Sequence, residues 1–261
     1  MVLASDIFKE FKEHSVSEFF RKNAAMLGYT GKIRNLTTVV HEGVTNAIDA
    51  GILPSIFVAI RSASEDSNHY KVVIEDNASG IPDEYIPRVF GRMLAGTKLH
   101  RNVQNRGQQG IGISGGVMFS QATSGQPTKV FTSTGDSDDI SYNEVMIDVN
   151  ENRGKIMDHK TLLGDWRGTR IEFEVKDVLY QQSRYGPFNY LRMTAIANPH
   201  VQIHFEDPNG ALTIFERAND EIPEEPEPIP PHPEGLRADG LLDLSKETNS
   251  RSVDTFLVID L

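Results

Sequence analysis

No cysteine occurs among the 261 residues. Disulfides and thiolate-held metals are thereby excluded, structural zinc is not expected, and the chain suits a reducing compartment. Long apolar runs are also missing: none reaches about 18 residues, and the start lacks the basic, apolar, small-residue order of a secretory signal. No membrane segment is expected, and the expected location is the cytoplasm. Positive charge is scarce as well, with 26 Lys and Arg against 37 Asp and Glu and a net charge of -11. A surface built to grip nucleic-acid phosphates alone would carry a basic excess, so this chain is not expected to be a main nucleic-acid-holding surface. The same acidity also serves solubility. What is present is enough apolar content, 38%, to bury one sizeable core, which favours one main domain.

Ile7, Phe8, Phe11, Val16, Phe19, Phe20, Met26 and Leu27 fall at roughly helical spacing, with Ser5 and Ser17 as N-cap candidates. That stripe fits a face packed on the domain's own core, and it also fits an aromatic surface for a second protomer. A second helical pattern covers 35–50 and is stopped by Gly51 and Pro54. Ser55 to Arg61 and Tyr70 to Glu75 read as strands joined by a polar hairpin connection. A glycine-dense loop spans Gly91 to Gly116. Beyond it Lys129 to Thr132, Ser141 to Asp148, Lys155 to Met157 and Thr169 to Val175 read as strands of an antiparallel sheet. Helix resumes over 185–197, and Gln202 to Phe205 with Leu212 to Glu216 form a hairpin around Asp207-Pro208-Asn209-Gly210. Pro223 to Pro233 holds six of the 13 prolines, mixed with glutamates, and reads as an extended linker before a last helical stretch, 236–261. The final residues, Phe256 to Leu261, are apolar apart from Asp260, an odd place for a natural end. The expected class is α+β: a two-layer sandwich with helices on one face of a mixed, mostly antiparallel sheet, plus a short helical C-terminal extension.

Four elements could carry chemistry. Glu42, Asn46 and Asp49 share one helix face. A solvated face has this pattern too, but if the stripe is buried it needs a reason. Nucleotide hydrolysis supplies one, because a carboxylate can orient and deprotonate water and an Asn carbonyl is a hard oxygen ligand suited to Mg²⁺. Next, Asp76 ends a strand at the sharp turn Asn77-Ala78-Ser79-Gly80, where it can accept from the exocyclic amine of adenine while Gly80 lets backbone approach the ring. An Asp at a strand-ending turn is common on other grounds. Third, Gly107-Gln108-Gln109-Gly110-Ile111-Gly112 leads into helix, and glycine amides with a helix N-terminus can converge on phosphate. A flexible connection is the plain alternative. Lys98, Arg101 and Arg106 just upstream form a basic cluster in an acidic chain, as a loop covering a triphosphate requires. No P-loop run occurs, and Gly107 to Gly112 lacks the preceding strand of a dinucleotide-binding unit. Fourth, Gly168-Thr169-Arg170 opens a strand on which the Thr169 hydroxyl can brace the Asp76 carboxylate through water.

The order of these elements resembles the Bergerat fold of the GHKL ATPases, which include DNA gyrase B, the ninety-kilodalton heat-shock chaperones, sensor histidine kinases and MutL. Glu42 and Asn46 match its E-x-x-x-N box, Asp76 and Gly80 its D-x-G-x-G box with Ala78 in place of the first glycine, and Gly107, Gly110 and Gly112 its glycine lid. Within that group, Met93 to Lys98, Arg106 to Ser114, Ser17 to Asn23 and Thr194 to His200 resemble the B subunits of type IIB topoisomerases, the topoisomerase VI family. Pro231 to Gly235 and the residues beyond them are similar to that family's passage into a helix-two-turn-helix domain.

The resemblance implies an ATP-hydrolysing topoisomerase subunit with ATP and Mg²⁺ as cofactors. Glu42 would be the general base, Asn46 the Mg²⁺ ligand and Asp76 the adenine reader, with Asp49, Gly80 and Thr169 in the nucleotide site. Thr97, Lys98, Arg106, Gly107, Gln108, Gln109, Gly110, Ile111, Gly112, Ile113 and Ser114 would hold the phosphates. It further implies a strap over 1–27, an ATP-binding domain over 28–220, a linker over 221–235 and the start of the helix-two-turn-helix domain over 236–261. The implied partners are a second B protomer on ATP binding, the DNA-cleaving A subunit in a heterotetramer, and double-stranded DNA through the full assembly, with no membrane. The family's transducer domain and its phosphate-binding lysine have no counterpart here, so the chain is expected to be a fragment that binds ATP and hydrolyses it weakly. A histidine kinase or chaperone ATPase would need a phosphoacceptor-His helix or a chaperone middle domain; His14 and His41 sit in no such helix and read as structural. A non-hydrolysing, ATP-gated dimerisation module is the other alternative.

Overall fold

The computed structural model describes residues 16–25, 27–51, 53–66, 68–93, 112–136 and 138–222. Helix α1 spans Val16–Asn23 and α2 spans Lys32–Ala50. In α2, Leu36, Val39, Val40, Val44, Ala47 and Ile48 are buried at helical spacing. Its start is closed by Asn35, whose Oδ1 accepts from the Gly31 amide at 3.0 Å, and its end by Gly51, which turns to extended backbone. Ser17 lies inside α1, so it is not the N-cap that the sequence suggested; Ser5 lies outside the described residues.

Strands β1 (Ser55–Ser62) and β2 (Tyr70–Glu75) form the expected hairpin. A 3-10 turn at Asp83–Tyr85 then leads into a short helix, α3 (Ile86–Gly91), which has Pro at its start. Helix α4 spans Gly112–Ser124, so Gly112 to Gly116, read from sequence as the end of a loop, are already helical. Four strands come next: β3 (Thr128–Ser133), β4 (Asp139–Asp148), β5 (Arg153–Leu163) and β6 (Gly168–Val175). Helix α5 (Pro187–Ala197) precedes the last hairpin, β7 (Gln202–Glu206) and β8 (Leu212–Phe215). Its turn is held by Asp207 Oδ1, which accepts from the Asn209 and Ala211 amides at 2.9 Å each.

The strands form one eight-stranded sheet in the order β5-β4-β3-β6-β2-β1-β7-β8. Every pairing is antiparallel except the parallel β1–β7 pair. Alternation sorts its faces. Ile56, Val58 and Ile60 of β1, Val72 and Ile74 of β2, Ile171, Phe173 and Val175 of β6 and Ile203 and Phe205 of β7 join the helices in one core. Burying each such side chain contributes about 1.5–3 kcal/mol. The opposite face carries ion pairs: Arg61 with Glu206 at 2.8 Å, Lys71 with Glu172 at 2.6 Å, and Arg170 with Glu172 at 2.6 Å. The result is the expected α+β sandwich of a mixed, mostly antiparallel sheet.

Phe20 of α1 packs on this same core, its ring 5.0 Å from Tyr29 and 5.4 Å from Phe119. The first fifteen residues of the expected strap lie outside the described residues. So do the expected linker beyond Ile222 and the expected helix-two-turn-helix start.

Candidate functional site

Two carboxylates anchor the site. The first stands where β2 runs out. Glu75 pairs with Arg170 of β6, and one step further the Asp76 amide donates to the Thr169 carbonyl at 2.9 Å. The Asp76 side chain is then fixed by backbone: Oδ1 accepts from the Ala78 amide at 2.9 Å and from the Thr169 amide at 3.1 Å. Both bonds fall on Oδ1, which leaves Oδ2 for an incoming donor. Burial pushes the carboxyl up to about 6 against the opposing pull of those two bonds, and the Glu75 charge adds to the rise.

Local sequence explains why the chain can fold so tightly there. Gly168 has φ 140°, and a Cβ on it would overlap the Asp76 carbonyl; Gly80 has φ 72°, and a Cβ on it would overlap the Ser133 carbonyl. Only glycine fits either place. Ala78, standing where the resembled family has glycine, is buried and has no positive φ, so its methyl group is accommodated. Thr169 touches Asp76 through its backbone amide, which bonds the carboxylate directly at 3.1 Å. Thr132 was not foreseen. Buried at the end of β3, it accepts from the Ile81 amide at 2.7 Å and donates to the Gly168 carbonyl at 3.2 Å, stapling the turn to the sheet.

The second carboxylate is Glu42. It shares a half-buried face of α2 with Asn46 and Asp49, flanked by the buried Gly43, Val44, Thr45, Ala47 and Ile48. The stripe is therefore not a solvated face. Glu42 lies against the N-terminus of α4, so close that a Cβ on Gly112 would overlap its Oε2. A helix N-terminus favours negative charge. Burial nevertheless raises the Glu42 pKa, and His41, with Nε2 4.0 Å from Oε1, pulls it partly back. The Asn46 side chain makes no hydrogen bond to another protein group among the described residues, so its Oδ1 is open to a hard cation. One such oxygen suits Mg²⁺, which keeps waters and takes the rest of its ligands from phosphates; no cluster of three His, Asp or Glu able to hold a metal occurs among the described residues.

Of the residues expected to hold phosphates, Gly112, Ile113 and Ser114 form the first turn of α4, and Ser114 is buried. Thr97, Lys98, Arg106, Gly107, Gln108, Gln109, Gly110 and Ile111 lie outside the described residues. Tyr29 is a second residue that sequence reasoning missed. It sits buried between Phe20 and Phe119 and within electrostatic reach of Glu42, and no local pattern announces it. Elsewhere Asp83, Ser141, Asn143 and His159 meet, but Ser141 donates to Asp83 and not to His159, which is not the order of a nucleophilic triad.

Residues 31–177 match the family described as histidine kinase-, DNA gyrase B-, and HSP90-like ATPase. The B subunit of type 2 DNA topoisomerase 6 from Pyrococcus horikoshii is 57% identical over 99% of this chain and 46% of its own length. Its counterpart in Methanothermobacter thermautotrophicus is 45% identical over 99% of this chain and 50% of its own. The chain thus spans about half the length of these curated relatives. Among solved structures, the Aquifex aeolicus MutL ATPase domain complexed with ADP aligns at 17% identity and a TM-score of 0.45, covering 70% of this chain and 64% of that one.

Proposed function

The chain belongs to the histidine kinase-, DNA gyrase B- and HSP90-like ATPase family, and from that premise we propose that it is the ATP-binding portion of a type IIB topoisomerase B subunit, a clamp that ATP closes. The observation that carries the nucleotide site is the Asp76 corner, where a carboxylate braced on one oxygen by two amides presents the other. In this reading Oδ2 accepts the exocyclic amine of adenine, Gly80 gives the ring room, and the α4 amides at Gly112 to Ser114 face the phosphates with the lid residues from Thr97 to Ile111. Asp49 lies on the same side of α2 as the Mg²⁺ ligand. Bound at Asn46, Mg²⁺ would neutralise phosphate charge.

Glu42 takes a proton from the attacking water as the new bond to the γ-phosphorus forms and the bond to the β,γ-bridging oxygen breaks. A carboxyl whose pKa burial has raised is suited to that task near neutral pH. The stretch 1–27 would embrace a second copy; because Phe20 is used in the chain's own core, the docking falls to other residues of that stretch. The closed pair would trap double-stranded DNA in the cytoplasm while an A subunit cuts and reseals it. The remaining half of the relatives' length is expected to contribute to hydrolysis, so the 261-residue chain binds ATP more readily than it turns it over.

Light scattering of the purified chain with and without Mg²⁺ and a non-hydrolysable ATP analogue tests this reading, with Asp76→Asn as control. A shift from monomer to dimer that Asp76→Asn loses supports the clamp. Binding without a shift leaves a nucleotide-binding module only, and absence of binding ends the reading.

A further inference from the structure

Nothing in the proposed reaction uses Tyr29. The residue is 5% exposed, its ring stacked on Phe119 with centroids 4.6 Å apart and set edge-on to Phe20 at 5.0 Å. Those contacts fix the ring, yet the hydroxyl has no hydrogen-bond partner among the described residues. Buried hydroxyls are nearly always paired, and an orphan beside a functional group points to a bond made in another state.

Helix α4 locates that orphan. A Cβ on Gly112 would overlap Glu42 Oε2, while one on Gly116 would lie 3.9 Å from the Tyr29 hydroxyl. Positions four apart stack on a helix, roughly 6 Å between their Cβ atoms. Hydroxyl and carboxylate therefore lie against the same side of α4, at positions one turn apart along it, and within electrostatic reach of each other. Burial, and then the Glu42 charge, push the Tyr29 pKa up, so the phenol keeps its proton and is a donor. The other charged group facing Glu42 among the described residues is His41, which is 47% exposed and reaches it from the solvent side.

We infer that Tyr29 is a positioning residue for the base: its hydroxyl donates to the Glu42 carboxylate, directly or through one water, once nucleotide draws that carboxylate from the α4 N-terminus. The inference rests on Glu42 acting as the base. It is tested by following the Glu42 carboxyl by carbon-13 NMR in the 261-residue chain with Mg²⁺ and a non-hydrolysable ATP analogue, the signal being assigned by its loss in Glu42→Gln. Tyr29→Phe keeps the ring and removes the donor. Glu42 should then titrate about one pH unit higher, a tenfold change in proton affinity, with analogue affinity within about twofold of wild type. An unmoved titration in a Tyr29→Phe chain that binds the analogue normally overturns the inference. If Tyr29→Phe does not fold, fluorotyrosine incorporated at position 29 supplies a stronger donor and should move the titration the opposite way; no movement again overturns it. Wild-type hydrolysis retained in Glu42→Gln, or no analogue binding by wild type, is a different result and defeats the base reading itself.

Discussion

At Asp76 each polar neighbour is already engaged: two amides on Oδ1, a carbonyl on its own amide, Thr132 tying the turn to β3, and glycine wherever a side chain would collide. At Glu42 the same ingredients, a carboxylate, a glycine and a helix start, stand in contact but short of partners among the described residues, with an orphan hydroxyl behind and an uncommitted Asn46 beside. Under the proposed function the difference separates two duties. Reading a flat ring demands geometry fixed before the ligand arrives, whereas a base that must meet water and phosphate gains from groups the ligand completes.

The severest way to break this contrast is Gly168→Ala. With φ at 140° and the Asp76 carbonyl in the way, the substitution should cost about 3 kcal/mol or more of folding stability, read by denaturant unfolding. A cost below about 1 kcal/mol would show the Asp76 corner to be pliable after all.

Asp76→Asn sharpens the contrast with a smaller effect. Analogue affinity should fall about thirtyfold, near 2 kcal/mol for an unpaired hydrogen-bonding group, without loss of stability. Calorimetric titration across pH adds the sign. The folded value of about 6 lies above the ordinary 3.8, so between those values the folded chain binds a proton that the unfolded chain lacks. Stability from this group accordingly rises as pH falls from about 6 toward 4, by at most about 3 kcal/mol, and the ionised carboxylate is a cost above 6. Nucleotide affinity moves the other way, weakening below about 6 as the acceptor is protonated. Asp76→Asn should abolish both trends.

The mildest probe is Gly112→Ala. The atom its methyl group meets is the far end of a flexible side chain, and alanine favours helix, so stability should change by less than about 1 kcal/mol in thermal melts. Single-turnover hydrolysis should nevertheless fall about tenfold, because the carboxylate is displaced. If both stay at wild-type values, the closeness of Glu42 to α4 has no consequence.

Most of the scaffold was legible because period-two and helical patterns coincide with buried faces: β1, β2, β6 and α2 fall where alternation put them. Strand β5 was foreseen only around Lys155 to Met157, since its outer residues, Asp158 to Leu163, are mostly exposed and owe their conformation to pairing with β4. Helix α3 went unseen because six residues with a proline at the start carry no full period. At the candidate site, spacing singled out Glu42, Asn46 and Asp76, and the family resemblance supplied the roles proposed for them. Tyr29 and Thr132 were not, because each matters through a neighbour far along the chain.

The parallel pairing of β1 with β7 sets Ser55 beside Gln202 and Ala59 beside Glu206. During synthesis at about 5–20 residues per second, β1 would leave the ribosome roughly 7–30 s before its neighbour is made. Until then one side of β1 is an unpaired edge, open to strands of other nascent chains. The late hairpin that ends the described sheet thus acts as a closing step in biogenesis: the sheet stays open for as long as the ribosome takes to reach residue 206.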